Sequence, residues 1–172
     1  MTGRYPPPRL LAPGDDLDGF ECRSETQTQW LHRHARQAHG TGTTRVFVVT
    51  APPGSRVVAY YAWCMAAIAT PDAPERLRRG AGRYPQPVAL LARLGVSIQH
   101  EGRGLGAGLL RDVIRRTARA GQEIGCRGLL VHAETTDARS FYLRAVPEFE
   151  SSPTDRLHLV LLMKDIHRLF RD

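Results

Sequence analysis

At 172 residues the chain has the length of one domain with a full core, and its 42% hydrophobic and 24% charged residues exclude a disordered tail. Twenty-four basic against seventeen acidic residues leave a charge of +7, and Lys164 is the only lysine, so the excess is arginine, whose planar fork suits phosphate oxygens; arginine-for-lysine usage also follows from base composition alone. Three unpaired-looking cysteines (Cys22, Cys64, Cys126), no H-E-x-x-H pattern, and an apolar run (59–69) well under the ~20 residues of a membrane span argue against a disulfide scaffold, a metal site and a membrane helix, and for a reduced cytoplasm.

In chain order, residues 1–20 read as a proline-broken, acidic arm (Arg4, Pro6 to Pro8, Asp15, Asp16, Asp18) without the apolar stretch of a signal peptide. Ser24 with Gln27 makes a capping box, and the helix behind it runs to about His39 with Trp30, Leu31, Ala35 and Ala38 on one face, ended by Gly40 and Gly42. Arg45 to Ala51 is a strand, Pro52-Pro-Gly-Ser55 a turn, and Arg56 to about Thr70 a second strand, which makes a hairpin. Residues 71–86 are a loop or short helix carrying Arg76, Arg78, Arg79 and Arg83. Pro87 to Ser97 is apolar almost throughout, as a strand buried on both faces is.

After the turn Glu101-Gly-Arg-Gly-Leu-Gly-Ala107, a helix runs from Leu105 to about Ile124. Leu109, Leu110, Val113 and Ile114 lie on one face, with Arg111, Arg115, Arg116 and Arg119 on a solvated one. Gly128 to Glu134 is a strand, Asp137 to about Ala145 a helix capped by Thr135 or Thr136, and Arg156 to Lys164 a last strand. With no repeat and no linker, the expectation is one domain, 1–172, of α+β class, a mixed sheet with helices on its faces.

The glycines at 102, 104, 106 and 108 alternate. Gly102-x-Gly104-x-x-Ala107 also satisfies a dinucleotide fingerprint, but that motif opens a βαβαβ unit and here lies past mid-chain. A Walker A loop is excluded for want of its Gly-Lys-Ser/Thr ending. Glycines that only let a strand turn sharply into a helix remain the plain alternative. Small residues in succession admit a ligand to the backbone, and the free N–H groups of a helix start form an anion site, which points to a pyrophosphate.

The segment Ala92-Arg-Leu-Gly-Val-Ser97, a short spacer and Glu101 to Gly106 resemble the core motif of the GNAT acetyltransferases. Phe20-Glu-Cys22, Trp30-Leu31 with Arg33 and Ala35, Val57 to Tyr61, Arg93-Leu94, Leu129-Leu-Val-His-Ala133 and Phe141-Tyr142 extend the resemblance to the TacT-like toxins of bacterial toxin–antitoxin pairs. The resemblance implies the GNAT fold, in α/β/α layers with a mostly antiparallel sheet splayed at its central parallel pair. It also implies acetyl-CoA as co-substrate, no metal, and the α-amine of aminoacyl-tRNA as acceptor. Leu94 and Val96 would pair with the pantetheine arm, Arg103, Gly104 and Gly106 would hold the pyrophosphate, the Val96 N–H would polarise the acetyl carbonyl, and Tyr142 would be the acid for the departing thiolate. Its partners would be a small ribbon-helix-helix antitoxin and, as in many relatives, a second copy of the chain.

The chain departs from the family at Glu101, which is expected to turn to solvent, and at Ala145-Val-Pro-Glu-Phe149, about two residues longer than the usual loop. From spacing alone Tyr142 reads sooner as a core aromatic, and the resemblance reverses that preference. His132 and Glu134 are candidate proton relays or satisfied strand-end polar residues. For tRNA, Arg76, Arg78, Arg79 and Arg83 with Arg93, and Arg33 with Arg36, are the basic groups. An acetyltransferase acting on a protein or small amine, and a non-catalytic CoA- or RNA-binding module, are the competing readings.

Overall fold

The computed structural model describes residues 5–171, so Arg4 of the expected arm lies outside the described residues. In chain order come β1 (Arg9–Leu10), α1 (Glu25–Arg33), α2 (Ala35–Thr41), β2 (Arg45–Ala51), β3 (Arg56–Ile68), α3 (Glu75–Arg78) and β4 (Gln86–Val96). They are followed by α4 (Leu105–Ala120), β5 (Gly128–His132), α5 (Thr136–Ala145), β6 (Glu150–Ser151), β7 (His158–Leu162) and α6 (Met163–Leu169). The sheet order is β1-β2-β3-β4-β5-β7-β6. β2 and β3 form the expected antiparallel hairpin, from Arg45 opposite Trp63 to Ala51 opposite Arg56. β4 and β5 are parallel over Ala89–Leu91 and Leu129–Val131, and β5 is antiparallel to β7. The register of β4 with β5 covers Ala89–Leu91, and β4 continues to Val96. The chain divides into two compact units, one holding residues up to Cys64 with Ala92–Asp112, the other Met65–Leu91 with the chain from Val113 onward.

In the first unit, the N-terminal residues do more than the expected arm. Leu11, Leu17, Phe20 and Cys22 are buried with Leu31, Ala35, Val46, Val48, Val57 and Tyr60, because apolar residues recur between the acidic ones. β1 pairs with β2, and the Arg9 guanidinium grips the buried Asp15 carboxylate at 2.7 and 2.8 Å. That contact holds the Asp15 carboxyl below its ordinary range. The Ser24 hydroxyl caps α1 by accepting from the Gln27 N–H at 3.1 Å, but the helix expected to run to His39 is interrupted at His34.

In the second unit, Ile68, Ala73, Leu77, Val88, Leu130, Val160 and Leu162 make the core. Gly128 starts β5 where a Cβ would strike the Leu161 carbonyl, so the close approach of β7 requires glycine there. Two elements differ from expectation. β7 ends at Leu162 rather than Lys164, and Met163 opens α6, whose Asp165 and Ile166 are buried. β6, two residues long, was hidden in the loop after α5. Thr135 caps α5, its hydroxyl accepting from the Ala138 N–H at 3.1 Å.

Candidate active site

The first unit carries the glycine turn. Gly102 and Gly104 have φ of +73° and +82°, in the left-handed region that side chains other than glycine avoid, so two of the four alternating glycines are required by backbone geometry. Gly108 has no such demand, since a Cβ there meets nothing within 4 Å. The first turn of α4 follows directly, and its N–H groups have no helical acceptors of their own. Main-chain donors without helical acceptors at the start of a long helix suit an anion, which is compatible with a pyrophosphate.

Around the turn the side chains are held. Arg103 donates to the Tyr5 hydroxyl at 2.9 Å, and that hydroxyl meets His100 Nδ1 at 2.7 Å. Glu101 does not simply face solvent as expected: the Arg23 Nε lies 2.8 and 2.9 Å from its two oxygens, which offsets a carboxylate beside an anion site. No single-sequence signal links residues 23 and 101. Just upstream, the end of β4 is fastened by the Ser97 N–H donating to the Val58 carbonyl at 2.8 Å and the Ile98 N–H to Glu21 at 2.9 Å. Leu94 and Val96 are half-buried on this stretch.

The second unit carries Tyr142, 7% exposed on α5, edge-on to Phe141 and Phe149 with ring centroids at 5.2 and 6.1 Å. The core reading of its spacing is met, since the ring is buried. Burial raises the Tyr142 hydroxyl well above the ordinary phenol value, so it keeps its proton throughout the neutral range. His132, at the end of β5, stacks on His158 of β7 with centroids 3.9 Å apart and planes at 18°. Desolvation, then the neighbouring His158, depress its pKa, with Asp155 opposing, so His132 is neutral at pH 7. No group of three or more metal-ligating side chains occurs among the described residues.

The basic residues fall into different circumstances. Arg33 and Arg78 are exposed. Arg93 places its guanidinium carbon 5.6 Å from the Trp30 ring centroid, and Trp30 stacks on Tyr60. Arg36 donates to the Asp15 carbonyl at 2.6 Å and so ties the N-terminal residues to α2. Arg76 is clamped by Glu150 at 2.7 Å and Asp165 at 2.9 Å, which raises its already high pKa. Arg79 makes only an exposed pair with Glu75 at 3.3 Å. The sequence could not show that Arg36 and Arg76 have internal partners, because Asp15 and Asp165 are distant in the chain.

No family model matches the sequence. Over its whole length, however, the chain is 44% identical to the tRNA-acetylating toxin of Mycobacterium tuberculosis, covering all of both proteins. It belongs to that family of GNAT toxins. Among solved structures, a tyrosine-to-phenylalanine mutant of KacT has a TM-score of 0.90 at 23% identity, covering 97% of this chain and 99% of that one. AtaT complexed with acetyl-methionyl-tRNAfMet gives 0.86 at 23% identity over 95% and 98%, and an AtaT mutant bound to the C-terminus of its antitoxin AtaR gives 0.81 at 22% over 96% and 98%. These likenesses establish the fold.

Proposed function

We propose that the protein is an acetyl-CoA-dependent N-acetyltransferase toxin that acetylates the α-amino group of aminoacyl-tRNA and so blocks translation. The observation that carries this is the end-to-end 44% identity to a tRNA-acetylating toxin. The glycine turn and the buried tyrosine supply the chemistry. Both units together make one acetyltransferase domain that works in a bacterial cytoplasm, and no helix of the described residues is long and apolar enough to cross a membrane.

Acetyl-CoA brings a thioester whose acetyl group moves to the amine. Main-chain N–H groups of Gly104 and Gly106, with Arg103, hold its pyrophosphate, and Leu94 and Val96 line its pantetheine arm. The Val96 N–H donates to the acetyl oxygen as negative charge grows there. An aminoacyl ester's amine has a pKa of about 8 or below, so enough of it is neutral for attack without a strong base. Tyr142, protonated by virtue of its burial, donates to the departing thiolate. Holding both substrates in register supplies much of the rest.

Arg33, Arg78, Arg79 and Arg93 contact the tRNA backbone. Arg36 and Arg76 each support RNA binding within their own unit by fixing their neighbours. A small ribbon-helix-helix antitoxin, encoded beside the toxin, neutralises it, and the chain pairs as a homodimer. Labelled acetyl-CoA incubated with charged tRNA should give N-acetyl-aminoacyl-tRNA, recovered as an N-acetyl amino acid after ester hydrolysis. Label appearing instead on protein lysines or free polyamines, with charged tRNA left unmodified, would replace this reading by a general amine acetyltransferase.

A further inference from the structure

In the second unit a cavity of about 270 Å³ opens beside the start of β5, lined by Arg76, Arg79, Arg127, Lys164, Cys126 and Met163 among others. It is not part of the Tyr142 site. None of the residues that line it belongs to the glycine turn or to α5, which carries Tyr142.

The cations of the cavity are not equivalent. Arg76 spends its fork on Glu150 and Asp165, so it serves as a wall. Arg127 differs: it donates to the Gln86 side-chain oxygen at 2.6 Å and to the Leu77 carbonyl at 3.3 Å, both neutral. Among the described residues it has no carboxylate partner. A half-covered guanidinium fixed in place by neutral acceptors keeps an uncompensated charge that an anion would satisfy. Lys164, the only lysine in the protein, is exposed at the rim; among the described residues it pairs with no carboxylate, and Arg79 pairs with the exposed Glu75 alone. Cys126 and Met163 add an apolar side. A pre-set guanidinium, two exposed cations and room for a phosphate with its sugar match a nucleic-acid backbone unit.

We propose that this cavity binds a backbone phosphate of the RNA substrate, a contact separate from the site of acetyl transfer. It rests on the aminoacyl-tRNA reading for the identity of the RNA, but the contact itself is read without any acetyl donor. In fluorescence-anisotropy titrations of the full chain with uncharged tRNA over a salt series, Lys164→Gln should raise Kd about 3- to 10-fold at 0.1 M salt. It should also lower the slope of log K against log salt by about 0.9, the loss of one phosphate contact. Arg127→Lys, which keeps the charge but loses the fork, should weaken binding by a smaller factor. Arg119→Gln, an equal loss of charge on the exposed face of α4, should change Kd less than 2-fold.

An unchanged Kd and slope for Lys164→Gln would overturn the proposal, as would equal effects of Lys164→Gln and Arg119→Gln, which would reduce the cavity to general charge. Two further arms use inorganic phosphate and a polyglutamate peptide as competitors of known chemistry. If Lys164→Gln weakens the peptide but not the tRNA, the cavity is a peptide site and the RNA assignment falls. If phosphate shifts resonances of the cavity but tRNA binding is indifferent to both variants, it is a small-anion site and the assignment falls equally. Failure of acetyl transfer with these binding results intact would remove the enzyme reading and leave the phosphate contact standing.

Discussion

The glycine turn of the first unit and the tyrosine helix of the second are built on opposite principles. The turn offers backbone: two glycines at φ of +73° and +82° shape it, and the start of α4 leaves main-chain donors without helical acceptors. The helix offers one side chain, a phenol placed by the aromatic packing of Phe141 and Phe149. A backbone site tolerates changes of side chain but no added Cβ where φ is positive. A side-chain site tolerates shifts of its scaffold but not the loss of one oxygen. The two regions should therefore fail differently, one in binding and the other in rate.

The largest effect should be that of Tyr142→Phe, which removes the acid and leaves the ring. The turnover rate should fall about 10²- to 10⁴-fold, with affinity for acetyl-CoA, followed by calorimetry, unchanged. A large loss of affinity would mean that the tyrosine is a binding group and would blur the contrast. Next comes Gly104→Ala. Forcing alanine to φ of +82° costs about 1–2 kcal/mol, so acetyl-CoA affinity should drop about 10-fold while the rate at saturation changes little.

Gly108→Ala is the matched opposite, since its Cβ meets open space within α4. It should raise unfolding stability by about 0.5–1 kcal/mol in denaturant melts with acetyl-CoA affinity intact. A loss of affinity there would show that all four glycines face the ligand. Smaller still, Arg23→Ala should weaken acetyl-CoA about 2- to 3-fold at low salt, and Glu101→Gln should not, because the exposed pair mainly screens the Glu101 carboxylate.

Acidity gives another separation. His132 has a folded pKa below its unfolded value of about 6.5. Between the two values the unfolded chain binds more protons, so stability is present above pH 6.5 and declines as pH falls below it. His132→Gln should flatten part of that decline in pH-dependent melts. His39, depressed by burial, accounts for a further part. Tyr142, held protonated, should contribute no fall in rate up to about pH 10, and the rise between pH 6 and 8 should be that of the acceptor amine.

The same contrast explains what the sequence disclosed. The β2–β3 hairpin, β4, the turn and α4 follow from local signals: alternation, a proline-glycine turn, a long apolar run, helical spacing after glycines. Their bounds in the structure match within a few residues. Main-chain sites are legible this way because glycine at positive φ leaves a mark in the sequence. What stayed hidden depended on distant partners. Leu159–Leu162 runs on into Met163 and Lys164 without a break in pattern, so the first two residues of α6 read as the end of the strand and the rest of the helix is not signalled. Its burial follows from Asp165 meeting Arg76 across the fold. The N-terminal residues read as an arm because prolines and acids dominate them, yet Leu11, Leu17 and Phe20 had a core to join. For Tyr142, spacing alone favours a core aromatic, and the acid role comes from the family resemblance.

The most direct test is a single-turnover reaction of saturating enzyme with acetyl-CoA and charged tRNA, comparing the wild-type chain with Tyr142→Phe and following N-acetyl-aminoacyl-tRNA by mass. The wild type should convert the charged tRNA, and the variant should do so at least about 10²-fold more slowly while still binding acetyl-CoA as tightly. Equal rates in the two proteins, or no acetylated aminoacyl-tRNA from the wild type, would contradict the assignment of the turn and the tyrosine to one acetyl-transfer site.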